Sequence, residues 1–197
     1  MLATFCAPSR YVQGRDATWH LGEQLTHLRL TGPALIIATP RTQSTLDEAW
    51  RPSLAAAGID FHAHAFGGEC SQPEIDAGVA AARAMGARVI IGAGGGKTLD
   101  TARAVAAEIG LPVVNCPTLA SSDAPCSALS VVYASDGSVE RYQFYPKNPD
   151  LVLVDTTLVA RAPRRFLVSG MGDALATWYE ARTVIENVLK EFGFADP

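Results

Sequence analysis

The residues best placed to do chemistry in this 197-residue chain lie in VIIGAGGGKTLDTARA at 89–104. There an apolar run meets Gly92, Gly94, Gly95 and Gly96, then Lys97 and a helical pattern. Glycine permits positive φ and lets a second molecule approach the backbone closely. A glycine-rich turn from strand into helix gathers unpaired N–H groups and the positive end of the helix dipole in one place, which suits a nucleotide pyrophosphate. Two familiar phosphate loops are excluded by counting. A P-loop needs glycine where Ile91 stands, and GxGxxG begun at Gly92 needs glycine where Lys97 stands. A glycine turn with no ligand and a merely solvated Lys97 are the plainer alternatives.

A second group follows in NCPTLASSDAPCSALSVVY at 115–133, which gathers Thr118, Ser121, Ser122, Asp123 and Ser127 after an apolar run. The carboxyl edge of an open α/β sheet is where ligands bind, and these hydroxyls with one carboxylate suit a ribose, a phosphate or a polyol. The same side chains can instead satisfy their own loop. A third group is SGMGDALATWYEAR at 169–182, where Asp173 is either functional or a first-turn carboxylate favoured by the helix dipole.

The remaining candidates read as structural. His62 and His64 share a strand face by their spacing, and two histidines of this kind line a surface more often than they hold a metal. Cys116 and Cys126 sit among small or apolar residues and are assigned packing roles, as are Trp19, Trp50 and Trp178 on helix faces.

These groups must be carried by a repeating frame. Short Ile- and Val-rich runs at 33–38, 59–66, 87–93, 111–117 and 151–155 read as strands of a buried sheet. Between them, 16–29, 43–57, 73–85 and 97–109 read as helices, so the fold class is α/β, a Rossmann-like parallel sheet with helices on both faces. In the last of these helices Leu99, Ala102, Ala106 and Ile109 share one face, and Gly110 and Pro112 end it. Residues 128–145 form two β-rich arms about Asp136-Gly137, the signature of a hairpin beside the sheet. From Arg164 the pattern turns helical, which divides the chain into an α/β domain at 1–163 and the beginning of a helical domain at 164–197.

Composition narrows the function. The chain is 48% hydrophobic and 18% charged, inside the globular range. Sixteen basic against twenty acidic residues, with no dense Lys or Arg run, argue against nucleic acid. The apolar windows are shorter than the ~20 residues of a membrane span. Four scattered cysteines without a CxxC pair, and an amino terminus without a secretory layout, point to the cytoplasm.

YVQG at 11–14, FGGECSQPEID at 66–76, GGGKTLDTA at 94–102, PTLASSDAPCSALSVVY at 117–133 and GMGDALATWYEAR at 170–182 together resemble the glycerol dehydrogenases of the iron-containing alcohol dehydrogenase superfamily. The resemblance covers about residues 5–182, in the family's order. It implies an NAD-dependent oxidation of glycerol to dihydroxyacetone, with hydride passing to nicotinamide. It also implies a divalent metal, usually zinc, as the Lewis acid that stabilises the developing alkoxide. By the same resemblance Gly94, Gly95, Gly96 and Lys97 lie at the pyrophosphate, Thr118 and Ser121 contact the nucleotide, and Ser127, Leu129 and Tyr133 line the nicotinamide side. Asp123 holds a glycerol hydroxyl, Asp173 is a metal ligand, and the family forms homo-oligomers.

The sequence departs from the family in two places. Where the family has an acidic residue for the adenosine ribose, ALIIATPRT places Thr39, with Arg41 after it, which opens the way to NADP. The two histidine metal ligands of the family's helical domain have no counterparts, since all four histidines lie early in the chain. The resemblance thus implies a truncated chain with an incomplete metal site, inactive or nearly so by itself, and an apolar surface left exposed.

Overall fold

The computed structural model describes residues 5–191. Its central sheet has the order β1-β8-β5-β4-β2-β3, every pairing parallel, built from β1 (Tyr11–Gly14), β2 (Ala34–Ala38), β3 (Phe61–Ala65), β4 (Val89–Gly94), β5 (Val113–Pro117) and β8 (Leu151–Asp155). The hairpin of β6 (Leu129–Tyr133) and β7 (Val139–Phe144) forms a separate antiparallel pair, with Gly137 at φ 84° in its turn.

Strand alternation distributes the core to two faces. Ile36 and Ile91 point to the side covered by α1 (Leu21–His27) and α2 (Pro40–Ala56), where Leu21, Leu25, Trp50 and Leu54 are fully buried. Leu35, Ile37 and Ile90 point to the side covered by α3 (Gln72–Met85) and α4 (Gly96–Ile109), against Ile75, Val79, Ala102 and Val105. With both faces covered, β2 and β4 are buried along their whole length, which is why they read as unbroken apolar runs. Each such Leu or Ile contributes about 1.5–3 kcal/mol by leaving water.

The anticipated strands and helices are all present, with shifted ends. α2 begins earlier than its periodicity suggests because Pro40 occupies the first helical position and Thr39 Oγ1 accepts from the Thr42 amide at 3.2 Å. Helix 16–29 divides into a 3-10 turn at Ala17–His20 followed by α1. α4 is buried around most of its circumference from Thr98 to Ala106 instead of along one stripe, because α3, the sheet and β6 all pack on it. β1 was not anticipated; four residues are too few to show a period.

β8 passes into α5 (Thr156–Arg161) and then α6 (Arg164–Glu191), with residues 192–197 outside the described part. α6 presents Leu167, Met171, Leu175 and Trp178 to solvent, each more than half exposed. A packing role therefore holds for Trp50 alone among the tryptophans, since Trp19 is 46% and Trp178 is 68% exposed.

Candidate functional site

β2 lies between β3 and β4, and the helices that follow β2 and β4 leave to opposite faces of the sheet. This reversal opens a crevice beyond the carboxyl ends of β2 and β4, where Thr39 and the Gly94–Lys97 turn stand.

The glycines of that turn divide into two pairs, and none has positive φ, which corrects the expectation that they serve backbone freedom. A Cβ on Gly92 would lie 2.7 Å from the Ala102 Cβ, and one on Gly94 would lie 2.6 Å from Thr98 Oγ1, so these two glycines seat α4 on its strand. Gly95 and Gly96 meet no such barrier, with Leu119 at 3.5 Å and the Ala124 Cβ at 3.6 Å. Gly95 caps α4 without a side-chain hydrogen bond, so no capping side chain occupies the first-turn N–H groups. A bare helix start of this kind receives phosphate oxygens, and a cradle that two side chains would narrow fits a pyrophosphate.

Lys97 follows at once. It is exposed, its Nζ donates to Glu69 Oε2 at 2.6 Å and lies 4.8 Å from the centre of the Tyr133 ring. The Glu69 hydrogen bond holds its pKa above the usual lysine value. Lys97 and Tyr133, separate in sequence, thus share one wall.

The loop at 118–127 forms the facing side. The Thr118 amide donates to Gly94 O at 3.0 Å, tying the end of β5 to the end of β4. Ser127 is spent on its own loop, through long bonds to Ala124 O and Leu129 O at 3.3 and 3.4 Å, and Ser122 Oγ accepts from the Ala124 amide at 3.4 Å. Among the described residues the Thr118 and Ser121 hydroxyls have no protein partner. A cavity of about 350 Å³ opens beside the loop, lined by Leu119, Ser122, Asp123 and Cys126 together with Tyr11 and Gln13 of β1.

α6 closes over this loop. The Ser169 hydroxyl donates to Ser121 O at 3.1 Å, and a Cβ on Gly170 would overlap the Ala120 carbonyl, so glycine lets the helix in. Asp173 Oδ2 accepts from the Asp123 amide at 3.0 Å, bringing the two acidic candidates together. No group of three His, Cys, Asp or Glu side chains that would hold a metal exists among the described residues. Asp173 alone supplies one carboxylate of the three protein ligands usual in a catalytic zinc site, and its hydrogen bond from the Asp123 amide orients it without preventing ligation.

Sequence reasoning missed the residues behind the site: Glu69, and the Asp100–Arg103 pair, Asn115 and Asn148 described below. One signal was available, a polar Asn115 inside the buried run VVNCP. Cys116 is buried as a packing residue, whereas Cys126 is half-buried and lines the cavity beside the loop. Burial pushes Cys116 up to about 12 and Cys70 up to about 11, far from a reactive thiolate.

A doubly wound α/β sheet with a bare glycine turn at its reversal point defines a Rossmann-like protein. Residues 8–156 match the family model of iron-containing alcohol dehydrogenase, and the chain belongs to that family. It is 51% identical over 176 residues to a glycerol dehydrogenase of Pseudomonas putida, covering 89% of this chain and 48% of the relative. It is 47% identical over 188 residues to a glycolaldehyde reductase of Halobacterium salinarum, covering 95% of this chain and 51% of the relative. Among solved structures, a probable glycerol dehydrogenase from Sinorhizobium meliloti superposes with a TM-score of 0.85 at 41% identity, covering 94% of this chain and 50% of that one. The chain spans about half the length of the curated relatives it matches. No helix among the described residues is long and apolar enough to cross a membrane.

Proposed function

We propose that this chain is the nucleotide-binding portion of an NAD-dependent glycerol dehydrogenase. The observation that carries the reading is the uncapped start of α4 at Gly95 and Gly96, facing the loop at 118–127, with Lys97 beside it. On this reading residues 1–163 are the dinucleotide-binding unit and 164–197 begin a helical, metal-binding unit. Gly94, Gly95 and Gly96 present backbone N–H groups to the pyrophosphate, and Lys97 supplies the cation. Thr118 and Ser121 offer hydroxyls to the nucleotide, and Ser127, Leu129 and Tyr133 form the wall for the nicotinamide. Asp123, exposed at the rim of the cavity, accepts from a polyol hydroxyl. The coenzyme, when bound, accepts the hydride.

Asp173 is this chain's contribution to a divalent metal site that its described residues do not complete, so we assign the chain no metal-assisted step. Thr39 spends its hydroxyl on capping α2 and puts no carboxylate at the ribose, so NADP is not repelled there. Four free thiols suit a reducing cytoplasm. We read the full-length protein as a homo-oligomer.

Titration of NADH fluorescence with the chain, with and without glycerol, tests the proposal. Binding that glycerol alters supports it, and no response to NADH sinks it. A second reading, a related dehydrogenase for another diol or a hydroxy acid, is favoured by the glycolaldehyde reductase at 47% identity. Glycolaldehyde altering the NADH signal where glycerol does not would select it. Coenzyme binding that no polyol or hydroxy acid perturbs would instead mark a non-catalytic nucleotide-binding subunit.

A further inference from the structure

Three consecutive carbonyls in the loop that carries Asp123 are each taken by a side chain from a different element. Ala124 O accepts from Arg103 Nη1 of α4 at 2.5 Å, and Pro125 O accepts from Asn115 Nδ2 of β5 at 2.8 Å. Cys126 O accepts from Asn148 Nδ2, in the connection between β7 and β8, at 2.8 Å. Arg103 and Asn115 are buried, at 2% and 0% exposure.

The same turn of α4 also holds the far end of the segment. Arg103 Nη2 donates to Asp100 Oδ1, Asp100 Oδ2 accepts from the Val131 amide at 3.1 Å, and Asp100 O accepts from Ser130 Oγ at 2.8 Å. Residues 124–131, which include Ser127 and Leu129, are therefore fastened at both ends to the helix that begins at Gly96 and Lys97.

Stability alone does not account for these side chains. Asn115 Oδ1, Asn148 Oδ1 and Arg103 Nε are buried with no protein partner among the described residues. An unpaired buried polar atom costs more than a neutral hydrogen bond returns. At position 115, between the buried Val114 and Cys116, an apolar residue would serve the core better. What the three donors do achieve is to fix a short backbone segment against the phosphate-facing helix, a task the long Ser127 bonds do not perform.

We propose that Arg103, Asn115 and Asn148 are positioning residues that hold the 124–126 backbone so that the nicotinamide half of the coenzyme is set in register with its pyrophosphate. This rests on the dinucleotide reading given above. The three act through the loop and do not touch the coenzyme.

The loop contains its own reporter, the half-buried Cys126. In the full chain carrying Cys6→Ser, Asn148→Ala and Arg103→Lys are compared with the unaltered side chains. Alkylation by iodoacetamide is followed at Cys126, with Cys116 as the internal standard for an intact sheet. Losing one loop bond is expected to raise the Cys126 rate roughly tenfold while Cys116 stays unreactive. NADH affinity is expected to stay within about threefold, since the pyrophosphate contacts are untouched, while the fluorescence enhancement at saturation falls by about half or more.

An enhancement retained in full by both variants overturns the positioning role, whatever the thiol rates. So does a Cys116 rate that climbs with Cys126 in both, because the residues then support the whole fold. If Arg103→Lys fails to fold, Asn148→Ala decides. No NADH response from the unaltered chain overturns the dinucleotide reading and this role together, which separates it from a full response in all three proteins, where only the role is lost.

Discussion

Glu69 Oε2 and Lys97 Nζ stand 2.6 Å apart at the mouth of the crevice, so the cation best placed for a pyrophosphate is already paired. An incoming anion must compete with that carboxylate. Glu69→Gln is therefore expected to tighten NADH binding by up to about fivefold, the range of an exposed ion pair. Lys97→Ala is expected to weaken it by roughly tenfold through loss of a charge-assisted bond. Equilibrium titration of NADH fluorescence at low salt checks both, and weaker binding by Glu69→Gln would contradict the competition.

The two glycine pairs predict opposite mutational outcomes. Gly92→Ala drives a methyl into Ala102 and is expected to cost about 1–3 kcal/mol by overpacking. Gly96→Ala finds 3.6 Å of clearance within the protein and should leave the melting transition nearly in place while abolishing coenzyme binding. Thermal denaturation alongside NADH titration distinguishes them. Equal destabilisation by both would show that Gly96 also serves packing.

Cys126 carries a pH prediction. Burial, and to a lesser extent the Asp123 carboxylate, push its thiol above the ordinary cysteine value. A raised pKa leaves less thiolate at a given pH, so the alkylation profile of Cys126 should lie at higher pH than that of free cysteine. Asp123→Asn removes the smaller cause and should move the profile slightly down in pH. A profile matching that of free cysteine would refute the assignment.

Zinc should not be taken up stoichiometrically at micromolar concentration, because Asp173 finds no second and third ligand among the described residues. Isothermal calorimetry together with a glycerol oxidation assay measures this, with turnover absent or nearly so. Tight uptake accompanied by ordinary turnover would sink the prediction.

Leu167, Met171, Leu175 and Trp178 recur along one side of α6 and are open to water. An apolar stripe of that size favours self-association, so light scattering should show a mass that grows with concentration. Leu175→Lys combined with Trp178→Lys should suppress the growth. A clean monomer from the unaltered chain at high concentration would count against it.

The frame was legible because burial on both sides makes β2 and β4 continuous apolar runs and β5 and β8 largely apolar ones, and because Gly86 and Gly110 end α3 and α4 in the left-handed conformation. The family was legible through motifs that run in order along most of the chain. What the pattern did not reveal depends on distance in sequence. Lys97 and Glu69 are 28 residues apart, and Arg103 meets Ala124 across 21. Nor does composition separate a glycine that seats a helix from one that bares it; Gly92 and Gly96 differ only in which atoms lie opposite.

The pairing of β1 with β8 joins Tyr11 to Val152, and the Asp155 carboxylate then accepts from the amides of Asp16 and Thr18. An edge of the sheet is thus assembled from the two extremes of the α/β unit. During synthesis the first strand must wait, unsatisfied, until the last has left the ribosome, while β2, β4 and β5 have partners available sooner. Arrested nascent chains that end before residue 151 should therefore protect the middle of the sheet and leave Tyr11–Gly14 open to proteases, which makes this edge the step that completes folding.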